Sequence, residues 1–208
     1  GDFSLVFFNG ANYELNGKII FTQAAADKTI LAEHFSANLE SQLRHLLAFS
    51  DNVYAEAFLK KLGHVQHTSG ISDFQSGAFA VRDTLLKNNK INMHGMRYDD
   101  GSGLSRYNAT TPDILNKLLI AGLHSKYKTR WLMLLATPYH DNTLRMLHLK
   151  LSPRIKLHAK TGSMTGVLSL AGYMQAAGHQ AISFSIFING INQKRASRKT
   201  RIGWSSGT

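Results

Sequence analysis

The chain has 208 residues, 43% of them hydrophobic, which is enough to bury one substantial core and predicts a single domain. It contains no cysteine, which excludes a disulfide framework and a thiolate metal site. Of its 24 basic residues, five lie in the stretch QKRASRKTR near the end, which has no acid, so the tail supplies +5 of the net charge of +11 and the rest of the chain is only moderately basic. The sequence has neither an apolar run of about 18 residues nor the features of a signal peptide, and neither a transmembrane segment nor a leader is expected within it.

Residues 1–35 are predicted to hold two short strands, at 3–8 and 18–22, separated by turn-forming Asn-Gly pairs. Leucines then recur at helical spacing from Leu39 to Leu47 and predict an amphipathic helix that leads into Ser50. A second helix follows, which Gly63 is expected to end. The triplet SDN at 50–52 therefore lies at a junction of two helices, where Asp51 and Asn52 are equally well explained as helix caps.

Further helices and strands complete the predicted domain. SDFQ at 72–75 has capping-box spacing and begins a helix that ends in KNNK, and Thr111 and Pro112 mark the start of another helix. The stretch 128–152 is expected to be helical or irregular, and its pattern does not distinguish the two. Strands are expected at 155–161, 167–176 and 180–189, the last two joined in a hairpin, whereas residues 191–208 lack apolar periodicity and are predicted to be a disordered or non-native basic tail.

Two triplets carry the chemistry, SDN at 50–52 and KTG at 160–162. Acyl transfer by a serine needs an activated hydroxyl, an oxyanion hole and a path for the proton. Lys160 is the candidate cation that keeps a neighbouring lysine base partly neutral, and Gly162 would let a peptide add to the strand edge. A hydroxyl of Thr161 or Ser163 could bind a terminal carboxylate. Each triplet alone is weak evidence, but both in this order are much stronger.

Three stretches resemble a known family: SDNVYAEAFLKKLG, DGSGLSRYNATTP and AKTGSMTGVLSLAGYM. They are similar to the D-alanyl-D-alanine carboxypeptidases/endopeptidases of the low-molecular-mass, class C penicillin-binding proteins, from about residue 36 to residue 189. The resemblance implies an α/β protein of the α+β type with the penicillin-binding transpeptidase fold, an antiparallel sheet covered by helices. It also implies a periplasmic or wall-associated enzyme without a cofactor, which acts on the peptidoglycan stem peptide and is inhibited by β-lactams.

The resemblance also assigns roles to residues. Ser50 and Asn52 match the family's second motif, in which Ser50 would relay the proton. Lys160, Thr161 and Gly162 match the third motif, and the Ser163 backbone N–H occupies the place of an oxyanion-hole donor. A segment that borders the site as structural support falls on Asp100, Gly101, Ser102 and Gly103. HDNTLR at 140–145 departs from the family's DGTL by placing Asn142 where glycine is usual. The resemblance therefore divides the chain into three parts. Residues 1–35 hold the two N-terminal strands, residues 36–190 form a partial transpeptidase domain, and residues 191–208 form the basic tail.

The family's first motif, a nucleophilic Ser-x-x-Lys, is not found between residues 1 and 49. A literal match at Ser125 to Lys128 follows SDN within a basic segment, and we reject it as the nucleophile. The sequence therefore predicts the C-terminal part of a catalytic domain that is inactive alone, or one that a complementing chain completes. Ten scattered histidines form no HExxH pair, so no metal site is expected.

Two other classes of function compete with this interpretation. The first is a non-catalytic module that binds wall peptides or penicillin in the same groove. The second is a nucleic-acid binder, suggested by the net charge of +11. We disfavour nucleic acid as a partner because the basic cluster is confined to the tail and no nucleic-acid-binding motif is readable.

Overall fold

The computed structural model describes residues 33–66 and 73–191. Contacts divide the chain into two units, 1–36 and 37–208, and the first lies almost wholly outside the described residues. The predicted strands at 3–8 and 18–22 and nearly all of the predicted basic tail also lie outside them. Residues 37–66 and 73–191 are the described part of the second unit.

Five α-helices and one antiparallel sheet make up the described part of this unit. The helices are α1 (Leu39–Phe49), α2 (Asn52–Gln66), α3 (Phe74–Asn89), α4 (Pro112–His124) and α5 (Lys128–Leu134). A short 3-10 helix, Arg145–Leu147, precedes strands β1 (Ile155–Met164), β2 (Val167–Ala176) and β3 (Ile182–Asn189). The strands pair in the order β1-β2-β3, each antiparallel to its neighbour, so the fold is of the predicted α+β class.

Helix α1 forms where the leucine spacing predicts it. Asn38 caps its first turn, because its side chain accepts a hydrogen bond from the Ser41 N–H. The apolar stripe is less buried than expected: Leu39 is 60% exposed, and only the later leucines turn towards the neighbouring helices. Leu47 packs against the cluster beneath α4, so the C-terminal half of α1 is the better anchored one.

The prediction that Gly63 ends the second helix is wrong. Gly63 is buried inside α2, which continues to Gln66. A Cβ atom built on Gly63 would lie 2.6 Å from the Gly77 backbone nitrogen of α3. Gly77 in turn presses against Leu59, so the two glycines let the backbones of α2 and α3 approach closely. Gly63 is therefore a packing residue and not a helix terminator.

The cap of α3 differs by one residue from the predicted one. Asp73, and not Ser72, is the N-cap, and its carboxylate accepts from the Ser76 N–H at 2.7 Å. The Ser76 hydroxyl reciprocates by accepting from the Asp73 N–H, which completes the capping box. The helix ends at the predicted polar stretch, with Lys90 in the left-handed conformation at its C-cap.

Helices α4 and α5 cover one face of the sheet. Thr111 caps α4 and Pro112 opens it, as predicted, and α5 forms at the start of the stretch that was expected to be helical or irregular. Tyr173 of β2 is 2% exposed beneath them. Its hydroxyl donates to the Leu119 carbonyl and accepts from the Trp131 indole N–H, each at 2.6 Å, so the buried oxygen is fully paired.

The opposite face of the sheet packs on the segment that links α5 to β1. Its core consists of four buried residues, Ala136, Leu144, Leu157 and Ala159. The Ala159 N–H donates to the Ala136 carbonyl at 2.9 Å, so this segment also pairs briefly with β1. Strand β1 extends to Met164, beyond the predicted end at residue 161, which places KTG inside a strand and not at its end. Strand β3 begins at Ile182, two residues later than predicted.

Candidate functional site

Ser50 occupies the bend between α1 and α2. Its φ of 59° and ψ of 48° lie in the left-handed region, which few non-glycine residues adopt. The Ser50 N–H donates to the Leu46 carbonyl and so closes the last turn of α1. This bend leaves the Ser50 side chain exposed at the mouth of a cleft.

Lys160 reaches Ser50 from the sheet. Its ammonium donates to the Ser50 hydroxyl oxygen at 2.9 Å and to the carbonyl of Thr161 at 2.5 Å. Burial lowers the pKa of Lys160, because desolvation disfavours the charged form. Within residues 33–66 and 73–191 no carboxylate pairs with this ammonium. The structure therefore joins SDN and KTG through a half-buried cation that has no counter-ion among the described residues.

Asp51 fixes the start of α2. One carboxylate oxygen accepts from the N–H groups of Val53 and Tyr54, at 3.0 and 3.2 Å, and the other lies 3.0 Å from Nε2 of His45. The Tyr54 N–H and then the His45 ring lower the pKa of Asp51. Asp51 is thus the cap that the alternative explanation of SDN anticipated. Asn52, the first residue of α2, has an exposed side chain that the cap does not use.

The KTG strand borders a cleft of about 450 Å³. Its polar side is formed by Ser50, Thr143, Thr161, Gly162, Ser163 and Ser169. Its apolar side is formed by Met146, Leu147, Leu168, Leu170, Ile186 and Ile188. A Cβ atom at Gly162 would collide with the hydroxyl of Ser169 on β2, so the space that glycine leaves on this strand is filled from within the sheet. The cleft therefore combines a hydroxyl-rich rim beside one cation with an apolar wall.

The segment 100–103 is held by two carboxylates. The Asp100 side chain accepts from the N–H groups of Gly103 and Ser105, at 2.7 and 2.6 Å. Glu56 of α2 accepts from the N–H groups of Gly101 and Ser102, at 2.9 and 3.2 Å. None of residues 100–103 lines the cleft. The loop is thus bound to α2, the helix that SDN begins.

Three residues that organise this region carry no motif in the sequence: His45, Glu56 and Thr143. The Thr143 hydroxyl lies 2.8 Å from that of Thr161. The only signal near it was the departure at Asn142, and Glu56 lies within the quoted stretch SDNVYAEAFLKKLG without a motif of its own. Their roles depend on contacts between segments that are distant in sequence, and the hydrophobic periodicity of a single segment does not indicate such contacts.

The structure thus brings SDN and KTG into hydrogen-bond contact on an α+β scaffold. The model of the D-Ala-D-Ala carboxypeptidase 3 (S13) family matches residues 9–205, and the chain belongs to that family. It is 30% identical to the D-alanyl-D-alanine carboxypeptidase DacB of Haemophilus influenzae over 195 residues, 90% of this chain and 39% of that protein. It is 32% identical to a D-alanyl-D-alanine carboxypeptidase of an Actinomadura species, over 79% of this chain and 31% of that protein.

Solved structures agree with the sequence comparison. Penicillin binding protein 4 (dacB) from Haemophilus influenzae, solved in complex with a β-lactam, superposes with a TM-score of 0.73 at 30% identity. The match covers 85% of this chain and 41% of that one. The chain thus spans about a third to two fifths of the length of these relatives. The predicted family and fold are confirmed.

Proposed function

We propose that the chain supplies part of the active site of a serine-type D-Ala-D-Ala carboxypeptidase that acts on peptidoglycan stem peptides. The observation that carries the proposal is the hydrogen bond of 2.9 Å between Lys160 and Ser50, which joins the two motifs in one cleft. Family membership and the names of the relatives support the same reaction. A periplasmic or wall-associated location follows from the substrate, and none of the helices in the described residues is long and apolar enough to span a membrane.

The proposed reaction is acyl transfer in two steps. A serine oxygen attacks the carbonyl carbon of the penultimate D-Ala, the bond to the terminal D-Ala nitrogen breaks, and the serine proton ends on the leaving amine. Water then hydrolyses the acyl ester. Ser50 would relay the proton, while Asn52 would hydrogen-bond the substrate amide and the lysine base of the nucleophile's motif. The Ser163 N–H would stabilise the oxyanion.

Lys160 is well suited to two tasks in this scheme. Its ammonium has no carboxylate partner in the described residues, so it can attract the terminal carboxylate of a peptide towards Thr161 and Ser163. Its charge would also hold a nearby lysine base partly neutral, which that base needs in order to accept a proton. Residues 100–103 would support α2 and not touch the substrate.

The proposal assigns the nucleophile to a Ser-x-x-Lys motif that residues 1–208 do not contain before Ser50. That motif would stand upstream in the same gene or on a complementing chain. Removal of the nucleophile from a serine hydrolase lowers kcat by about 10⁶-fold. The 208 residues alone should therefore not form an acyl-enzyme, and the gene sequence upstream of Gly1 is the first place to search for the motif.

A fluorescent penicillin tests the proposal. We expect no covalent label on the 208-residue chain, and a covalent label on the protein extended upstream to include a Ser-x-x-Lys motif. Denaturing electrophoresis distinguishes covalent from reversible binding. An unlabelled extended protein would contradict the proposed reaction. Label on the 208 residues would place a nucleophile inside them, and Ser125→Ala would then test the literal match that we rejected.

A non-catalytic module that binds wall peptides or penicillin is the second candidate. The hydroxyls that line the cleft and the Lys160 ammonium beside it favour this candidate, because such groups suffice for reversible binding of a peptide carboxylate. It predicts reversible binding of a D-Ala-D-Ala peptide without covalent labelling of any longer form of the protein.

A further inference from the structure

Thr143 joins the two motifs of the site from a third segment. Its backbone N–H donates to the carbonyl of Ala48 at 3.1 Å, two residues before Ser50. Its hydroxyl oxygen lies 2.8 Å from the hydroxyl oxygen of Thr161. Its side chain also lines the cleft. Thr143 therefore contacts both the end of α1 and the KTG strand.

The segment around Thr143 is held rigidly. Asn142, only 8% exposed, accepts from the N–H groups of Leu144 and Arg145, at 2.9 and 3.2 Å. Its amide group donates to the Thr137 carbonyl at 2.8 Å. Leu144 has no exposed surface and packs in the cluster that includes Ala159 of β1. With neighbours fixed on both sides, the Thr143 hydroxyl is held at a set place beside Thr161.

One hydrogen bond joins the two hydroxyls, so only one of them can donate to the other, and in this structure the donor is Thr161. A hydroxyl has one hydrogen to donate and two lone pairs to accept with. If Thr161 donates to Thr143, its hydrogen is consumed within the protein. If Thr143 donates to Thr161, the hydrogen of Thr161 is free to point into the cleft. A carboxylate only accepts, so a bound carboxylate favours the second arrangement.

We propose that Thr143 is a positioning residue: when a ligand carboxylate binds, Thr143 becomes the donor to Thr161 and so leaves the Thr161 hydrogen directed towards that carboxylate. This inference rests on the proposed function, because it names how that site selects a free C-terminal carboxylate. A hydrogen bond to a charged acceptor is stronger than one to a neutral acceptor. Thr143 therefore contributes more to the binding of a free acid than to the binding of the corresponding amide.

The experiment compares two ligands, an N-acylated D-Ala-D-Ala peptide and its C-terminal carboxamide, by NMR titration of the 208-residue chain. For Thr143→Val, which keeps the backbone N–H and the shape, we expect affinity for the acid to fall about fivefold to tenfold and affinity for the amide to change less than about twofold. Thr143→Ser should restore the preference for the acid. Thr129→Val, at an exposed threonine on α5, is the matched control.

A double-mutant cycle separates positioning from a general structural effect. If Thr143 acts through Thr161, the variant Thr143→Val/Thr161→Val loses no more affinity for the acid than Thr161→Val alone. Additive losses would overturn the proposal. Thr143→Ala provides a second variant if the valine variant does not fold.

The outcomes distinguish this inference from the function on which it rests. If the wild-type chain prefers the acid but Thr143→Val retains the full preference, the inference is wrong and the proposed function stands. If neither the 208-residue chain nor the protein extended upstream to Ser-x-x-Lys binds either ligand in the cleft, the proposed function fails and the inference with it.

Discussion

At the scale of single residues, the site depends on a strained serine and a desolvated lysine. A left-handed conformation costs a non-glycine residue about 1–2 kcal/mol, and Ser50 adopts it in the bend that presents its hydroxyl to Lys160. Lys160 gives up part of its hydration to reach Ser50 and the Thr161 carbonyl. The strained backbone of Ser50 and the desolvation of Lys160 both disfavour folding, and such unfavourable terms at one contact are typical of residues that serve function and not stability.

The lowered pKa of Lys160 predicts a pH-dependent effect on stability. Between its folded pKa and its unfolded value of 10.5, the unfolded state binds more protons, so wild-type stability gains a contribution as pH rises. Below the folded pKa the desolvation penalty is fully present. Lys160→Met should therefore raise Tm at neutral pH, and the difference from the wild type should shrink in alkaline solution.

Thermal unfolding followed by circular dichroism across this pH range checks the prediction. Lys156→Met, at an exposed lysine of the same strand, controls for the loss of one positive charge. A Lys160→Met variant that is less stable than the wild type at neutral pH, by a margin independent of pH, would indicate that the hydrogen bonds of Lys160 outweigh its desolvation.

At the scale of elements, α2 is the scaffold that places SDN. Its face carries Gly63 against α3 and Glu56 against the segment 100–103. These contacts hold the helix at two points along its length, while its N-terminus, capped by Asp51, meets the end of α1. The direction of α2 therefore determines where Asn52 stands relative to the cleft.

Gly63→Ala tests the close contact of α2 and α3. In an isolated helix alanine would stabilise by about 1 kcal/mol relative to glycine, but here its Cβ would collide with the backbone of α3. We expect a net loss of about 1–3 kcal/mol in the free energy of unfolding, measured by urea denaturation. Lys61→Ala, exposed on the same helix, should change it by less than about 0.5 kcal/mol. A stabilised Gly63→Ala variant would contradict the packing.

Local signals predicted the elements whose determinants are local. Thr111 and Pro112 mark the start of α4, and strand alternation with a Gly-containing turn predicts the β2–β3 hairpin. Gly63 was misread because a C-terminal glycine and a glycine in a helix contact look alike in sequence. The roles of Asn142 and Thr143 depend on Thr137, Ala48 and Thr161, which tertiary packing alone brings near.

At the scale of the whole molecule, both faces of the sheet contribute side chains to the site. Helices α4 and α5 bury Tyr173 on one face, and the segment containing Leu144 packs on the other. Lys160 and Thr161, neighbours on β1, alternate between these faces and so bind different partners, Ser50 and Thr143. The site is thus assembled where the edge of the sheet, the α1–α2 bend and the 137–145 segment meet.

The most direct test of the account is the acylation rate of the upstream-extended protein that carries Ser-x-x-Lys, measured with a fluorescent penicillin for the wild type and for Lys160→Ala. If Lys160 is the cation that links KTG to Ser50, the substitution should lower the rate by about 10²-fold or more, while Lys156→Ala leaves it unchanged. Equal rates for Lys160→Ala and the wild type would contradict the assignment of this cleft as the active site.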